Sequence, residues 1–321
     1  MIIEKWKNAQ TYVIGKMHVT RGLVCQDRTW SMEANGVKVI ALADGAGSKE
    51  KSEIGAEIVT KRICELLCEN FVEYLMMFEE KDRDEAQHNR NMEELSKTII
   101  SSVMASLKAK AMEMNLAVEE LSSTMLFFAT KDNHYILGHV GDGVIAGLYN
   151  ENNANRVRVI SDPENGEKSN VTFFVPDSNA YEHLRLDAGD TELLRGIVLT
   201  SDGAGGVLFS DGKVDGNVLK LFSNFQDRTT EEYEQIISKF LKEIVGNYST
   251  DDLSLNILTL EDSDTEKISE DYYKYLLAGI KSKDQVIRKS QYCVYLDPSV
   301  RAVDGNLFAT EQDLKEYLKW Q

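Results

Sequence analysis

Hydrophobic and polar positions follow two different periods along this chain, and they switch in blocks. Thr29 to Ala34 and Val37 to Ala43 are extended-type runs on either side of Asn35-Gly36. Both of those residues tolerate positive φ, so the pair predicts a tight hairpin. Val37 to Ala43 is mostly apolar, as a strand covered on both faces would be, and it stops abruptly at Asp44-Gly45-Ala46-Gly47. From Ser52 the period lengthens. Ile54, Ile58, Leu66, Leu67 and Phe71 keep helical spacing, and Ser52 with Glu53 behind it supplies a helix start. Residues 79–94 are almost entirely polar and read as exposed surface. Leu95, Ile99, Val103 and Leu107 then resume a helical stripe. Two long helices joined by a solvated stretch are expected.

From Ser122 the texture is extended again. Thr124 to Thr130, Tyr135 to Val140 and Val144 to Tyr149 are short apolar runs separated by Lys131-Asp132-Asn133 and Gly141-Asp142-Gly143. Gly196 to Thr200 and Leu253 to Leu260 follow, with a helical pattern from Glu231 to Val245 between them. Strands in blocks with short connections favour antiparallel pairing, hence an α+β fold with sheets sandwiched by helices rather than a doubly wound one. Glu261 to Glu270 reads as a linker. It divides the chain into a main domain, 1–261, with 42 acidic and 27 basic residues, and a C-terminal extension, 262–321, with 11 and 9. The extension carries helix-like patches at Tyr272 to Ile280 and Glu311 to Trp320 and a strand-like run at Gln291 to Leu296.

Charge narrows the function. A net charge of -17 over 321 residues argues against sequence-independent binding of nucleic acid, where basic side chains must displace counterions, and against an anionic membrane surface. It leaves room for an acidic pocket that collects divalent cations. The four cysteines, Cys25, Cys64, Cys68 and Cys293, lack the partners of a zinc site and read as free thiols in a reducing compartment. Charges at Glu4, Lys5 and Lys7 interrupt any signal-peptide core, and no apolar run nears the roughly 18 residues of a membrane span. A cytoplasmic location is expected.

The chemistry lies in a recurring device, an apolar strand that ends in aspartate and glycine. It occurs at Asp44-Gly45, Asp142-Gly143 and Asp202-Gly203, and a further strand begins on Asp251-Asp252. Carboxylates at the mouths of adjacent strands can converge on magnesium or manganese, and glycine lets backbone carbonyls approach closely. Competing motifs fail. Asp211 to Gly216 begins like a calcium loop, but Lys213 holds a ligand position and Phe222 stands where a bidentate Glu belongs. Gly141 to Gly147 is followed by a β-branched run instead of the helix a dinucleotide loop requires.

Arg21 with Cys25-Gln26-Asp27, then Ala43 to Gly47, Gly141-Asp142-Gly143, Thr200-Ser201-Asp202-Gly203 and Asp251-Asp252, taken in order, resemble the PP2C-type metal-dependent Ser/Thr protein phosphatases. Met17-His18 and the stretch from Gly166-Glu167 through Asn170, Thr172 and Phe174 look like that family's bacterial branch. The resemblance spans about residues 12–260 and does not reach the extension. It implies two central antiparallel sheets flanked by helices, an α-β-β-α sandwich with two Mn2+ or Mg2+ ions at one end. It further implies that Asp44 bridges both ions, that the Gly45 carbonyl binds one, and that Asp202 and Asp252 complete a shell. Asp27 would hold a metal or its water, and Asp142 a third, weaker ion. Two cations about 3.5–4 Å apart let a water attack phosphorus in line, with Asp44, Asp202 and Asp252 as the catalytic carboxylates. The implied partner is a phosphorylated protein, with the chain opposing a Ser/Thr kinase.

Several positions depart from the family pattern. Ala46 stands where eukaryotic relatives place a candidate acid, His, and Gln26 replaces a Glu. Arg21, expected to bind phosphate, sits six before Asp27 instead of five, with His18 close enough in sequence to substitute. His139 reads as a packed strand residue. These departures motivate a second reading, a catalytically silent phosphatase-fold module that binds a phosphorylated partner or acts through its tail. A small-molecule phosphatase would share the same site.

Overall fold

The computed structural model describes residues 5–78, 85–151, 154–164, 172–209, 214–225 and 228–261, and the backbone of 288–289 and 306–307. Two five-stranded antiparallel sheets face each other. One has the order β1 (Trp6–Val13), β10 (Leu253–Leu260), β9 (Leu194–Thr200), β6 (Val144–Glu151), β7 (Ala154–Ser161). The other runs β2 (Arg28–Ala34), β3 (Val37–Ala43), β4 (Met125–Lys131), β5 (His134–Val140), β8 (Arg185–Asp190). Helices α2 (Ser52–Met76) and α3 (Glu85–Met114) cover the second sheet, and α5 (Gly216–Phe225) and α6 (Thr230–Glu243) the first. The α+β sandwich expected from the sequence is the observed fold.

Side-chain alternation builds three apolar layers. Along β3, Val39, Ala41 and Ala43 pack under α2 and α3, while Ile40 and Leu42 meet Ile197, Leu199 and Leu258 between the sheets. That is why the strand is apolar at nearly every position. Leu255 and Ile257 of β10 instead face Phe222, Tyr233 and Ile237 of the outer helices.

The hairpin turn at Asn35-Gly36 has φ of 55° and 74°, and Asp132-Asn133 makes the β4–β5 turn at 49° and 64°, all in the left-handed region those residues tolerate. Helix α3 begins at Glu85, well before the apolar stripe at Leu95. Three strands carry no clear pattern in the sequence: β1, β7 and β8 each lie at a sheet edge and bury few positions. The patterns read at Tyr272 to Ile280, Gln291 to Leu296 and Glu311 to Trp320 fall outside the described residues; what is described of the extension is a two-residue antiparallel pair joining Arg288–Lys289 to Asn306–Leu307. Among the described residues no helix is long and apolar enough to cross a membrane.

Helix α6 starts with a capping box. The Glu232 amide donates to Thr229 Oγ1 at 3.3 Å and the Thr229 amide to Glu232 Oε2 at 3.0 Å. Thr229→Ala leaves one of these donors without its acceptor and is expected to lower stability by about 1 kcal/mol, measured by urea unfolding.

Candidate metal centre

Strand register brings the acidic turns together. β3 pairs Leu42 with Leu126 of β4, β9 pairs Thr200 with both Val144 of β6 and Leu255 of β10, and β2 pairs Arg28 with Ala43. Antiparallel pairing therefore gathers the end of β3, the β5–β6 turn, the end of β9 and the starts of β2 and β10 at one edge of the sandwich. Asp44, Asp142, Asp202, Asp27 and Asp251-Asp252 sit at those five places.

Asp44 is fixed through its backbone. Its amide donates to Thr124 Oγ1 at 2.9 Å, and its carbonyl accepts from the Thr124 amide at 2.8 Å. Gly45 must be glycine: a Cβ there would lie 2.8 Å from Ser52 Cβ and 2.9 Å from the Gln26 carbonyl. Asp202 opens the short helix α4 (Asp202–Leu208) directly after β9. Asp142 follows Gly141, whose φ of 115° lies in the region that favours glycine, and it accepts from the Thr172 hydroxyl. Thr172 belongs to the Asn-x-Thr stretch noted in the sequence; residues 165–171 of that stretch lie outside the described residues.

The carboxyl groups repel one another. Asp27 is fully buried, and burial, with Asp252 and Asp202 nearby, pushes it up to about 7. Burial also lifts Asp202 to about 6, with Asp142 and Asp251 adding to the rise and the facing Asp44 opposing it. Asp44 is driven well above the usual carboxylate range by burial, then by Asp27 and Asp202. Burial and Asp251 raise Asp142.

Oxygen atoms here lack donors. Both carboxylate oxygens of Asp27, Asp202 Oδ1, Gln26 Oε1 and the Ser254 hydroxyl are buried without a hydrogen-bond partner. Among the described residues no three acidic, His or Cys side chains converge closely enough to ligate an ion unaided. An all-oxygen set with orphaned buried carboxylates nevertheless fits magnesium or manganese, which keep several waters and take few protein ligands.

The two acids at the start of β10 part company. Asp252 spends both oxygens on protein donors: Oδ1 accepts from the Gly15 amide at 2.7 Å, and Oδ2 from the Gln26 amide at 2.6 Å and His18 Nδ1 at 2.8 Å. That arrangement does not suit the ligand role read for it in the sequence. Asp251 instead lies close enough to Asp202 and Asp142 to raise both carboxyl groups, with its Cβ beside Gly203 and its Oδ1 accepting from the Asp252 amide at 2.9 Å. Strand alternation sends neighbouring residues to opposite faces, so the doubled acid signals that one of the pair turns inward without telling which.

The other sequence candidates are spread out. Arg21 ends α1 (Lys16–Arg21), is exposed, and makes no ion pair among the described residues. His18, on the inner side of the same helix, is committed to Asp252 instead of facing a phosphate site. Ala46 is buried, its amide bonded to the Ser122 carbonyl. His139 is fully buried on β5 with Nδ1 on Ser161 Oγ at 2.9 Å, and burial followed by Arg185 holds it well below its ordinary value, as a packed neutral strand residue.

Solved structures share this architecture. A bacterial serine phosphatase aligns at a TM-score of 0.53 and 14% identity, covering 80% of this chain and 98% of its own. The S. agalactiae serine/threonine phosphatase aligns at 0.52 and 17%, covering 80% and 100%. Serine/threonine phosphatase Stp1 from Staphylococcus aureus aligns at 0.51 and 13%, covering 80% and 96%. At these identities the likeness is one of fold. None of the curated proteins matches the sequence. The family model for protein phosphatase 2C matches residues 14–245, which hold Asp27, Asp44, Asp142 and Asp202, and the chain belongs to that family.

Proposed function

We propose that this protein is a Mn2+- or Mg2+-dependent phosphoprotein phosphatase that hydrolyses phosphoserine or phosphothreonine and so opposes a Ser/Thr kinase. The observation that carries the reading is the gathering of a buried Asp27 and half-buried Asp44, Asp142, Asp202 and Asp251 from five separate segments, with ionisation of Asp27, Asp44 and Asp202 suppressed by burial and mutual repulsion and with oxygens of Asp27 and Asp202 left without donors. Such a cluster is costly unless cations or protons neutralise it.

In this reading Asp44, the Gly45 carbonyl, Asp202 and, in place of Asp252, Asp251 would hold the ions. Asp27, fully buried, would orient a water or an ion, and Asp142 would serve a weaker third site. Two divalent cations would supply charge to screen the phosphate and a water acidic enough to attack phosphorus in line. The protein contributes position, with Thr124 fixing the Asp44 backbone and Thr172 restraining Asp142. Ala46 offers no proton for the leaving alcohol, so acidic leaving groups should react best.

The test is hydrolysis of p-nitrophenyl phosphate by the full chain with manganese, with magnesium and with EDTA, followed by a phosphothreonine peptide. Turnover that appears with manganese and disappears with EDTA is expected. Manganese binding by calorimetry with no turnover on either substrate would sink the enzyme reading. It would favour the silent module, to which the buried Ala46 and the exposed Arg21 already lend weight.

A further inference from the structure

Asp252 gathers three donors from one stretch of chain. The Gly15 amide lies at the start of that stretch, His18 within it, and the Gln26 amide at its end. Both ends of the loop 15–26, whose first half is the short helix α1, therefore meet at a single buried carboxylate. The Met17 amide adds a bond to the Thr250 carbonyl at 2.9 Å. Gly15 is pressed flat on the same turn, since a Cβ there would lie 2.2 Å from the Asp251 carbonyl carbon. Between the pinned ends the loop projects Val19, Arg21, Leu23 and Val24 into solvent, with Val19 60% and Val24 57% exposed. Its C-terminal end runs straight into Asp27 beside the carboxylate cluster.

We propose that Asp252 and His18 are positioning residues, a clasp that closes the loop 15–26 beside the metal centre and presents its apolar and basic tip to the protein substrate. The proposal rests on the metal-site reading above. The carboxylate is suited to the task because it accepts from all three donors at once, and His18 must carry its proton on Nδ1 to take part. A carboxamide cannot do the same. In Asp252→Asn the Gly15 bond can persist, but the Gln26 amide then faces an NH2 group or loses its acceptor.

The test uses full-length Asp251→Asn, Asp252→Asn, His18→Asn and His18→Phe, with manganese affinity by calorimetry and the rate of tryptic cleavage after Arg21 by mass spectrometry. Asp252→Asn should keep manganese affinity within about threefold and speed cleavage about tenfold, a bond-sized change. Asp251→Asn should lose at least roughly tenfold in manganese affinity and leave cleavage unchanged. His18→Asn, which retains a side-chain N–H donor, should be cleaved at the wild-type rate, whereas His18→Phe should behave like Asp252→Asn. In turnover, an open loop should raise KM for a phosphothreonine peptide about tenfold and leave kcat for p-nitrophenyl phosphate within about threefold. Manganese loss in Asp252→Asn as large as in Asp251→Asn would overturn the proposal, as would equal cleavage of both His18 variants. Should Asp252→Asn fail to fold, the His18 pair decides. The binding and cleavage readouts do not need activity, so a chain that binds manganese without turnover defeats the phosphatase reading and leaves the clasp standing.

Discussion

Asp44→Asn is expected to cut manganese-dependent turnover by roughly a thousandfold or more, because losing a bridging charge removes several kcal/mol of transition-state stabilisation. The same substitution should raise the melting temperature of the protein in EDTA. The two effects have one cause. Asp44 is driven well above the usual carboxylate range by burial and by Asp27 and Asp202, so in the absence of cations its charge opposes folding. A carboxamide of nearly equal size removes that repulsion without opening a cavity. The sign with pH follows from the raised values. A carboxyl group whose folded pKa lies above its unfolded one stabilises the fold when protonated, an advantage fully present below about 3.8 and lost as pH rises through the folded value. Asp202 at about 6 and Asp27 at about 7 set the window, so the EDTA-treated wild type should lose stability between about pH 4 and pH 7. Saturating manganese should remove most of that loss, and Asp44→Asn should show a shallower pH slope in EDTA. Thermal unfolding across that range checks all three outcomes. A wild type whose melting temperature does not respond to manganese, beside an Asp44→Asn variant with undiminished turnover, would defeat the proposed site.

The fold was legible where both faces of an element are buried. Val37 to Ala43, the hairpin at Asn35-Gly36 and Leu253 to Leu260 fall where the pattern puts them. Edge strands β1, β7 and β8 were not legible, because a strand with few buried positions has little apolar signal to give. Helix α5 was hidden for a different reason. Its apolar stripe, Val218, Leu221, Phe222 and Phe225, follows an Asp-Gly run that invites a loop reading, whereas Asp215 accepts from the Asn217 amide at 2.7 Å at the head of the helix. At the site, each strand-end aspartate could be named from the sequence, since Asp-Gly after an apolar run marks a strand mouth. Which of Asp251 and Asp252 faces the cluster depends on how β10 is rotated against β2 and β3. That rotation is set by contacts between residues over 200 positions apart in the chain, which no local pattern carries.

Asn256→Leu is expected to destabilise the domain by about 2–4 kcal/mol, a fall in melting temperature of about 5–15 °C for a unit of this size. Asn256 is fully buried on the face of β10 that meets the second sheet. Its Nδ2 donates to the Ala41 and Trp30 carbonyls, each at 3.0 Å, and its Oδ1 accepts from Asn8 Nδ2 at 2.7 Å. One amide therefore ties β10 and β1 of one sheet to β2 and β3 of the other. Leucine has similar volume and would suit the apolar layer between the sheets, so transfer energy alone predicts a neutral or favourable change. The opposing effect is larger, because the buried Ala41 carbonyl and the partly buried Trp30 carbonyl lose their side-chain donor and Asn8 loses an acceptor, and polar groups left this way cost more than a buried methyl returns. The consequence reaches the site. β3 delivers Asp44 and β10 delivers Asp251, so a clamp midway along both strands sets the offset between those carboxylates. Asn256→Leu that remains folded should bind manganese more weakly, while Thr229→Ala, remote from the inter-sheet contact, should lower stability with affinity unchanged. Calorimetric unfolding and manganese titration of the two variants separate the clamp from general loosening, and equal affinities in both would show that Asn256 serves packing alone.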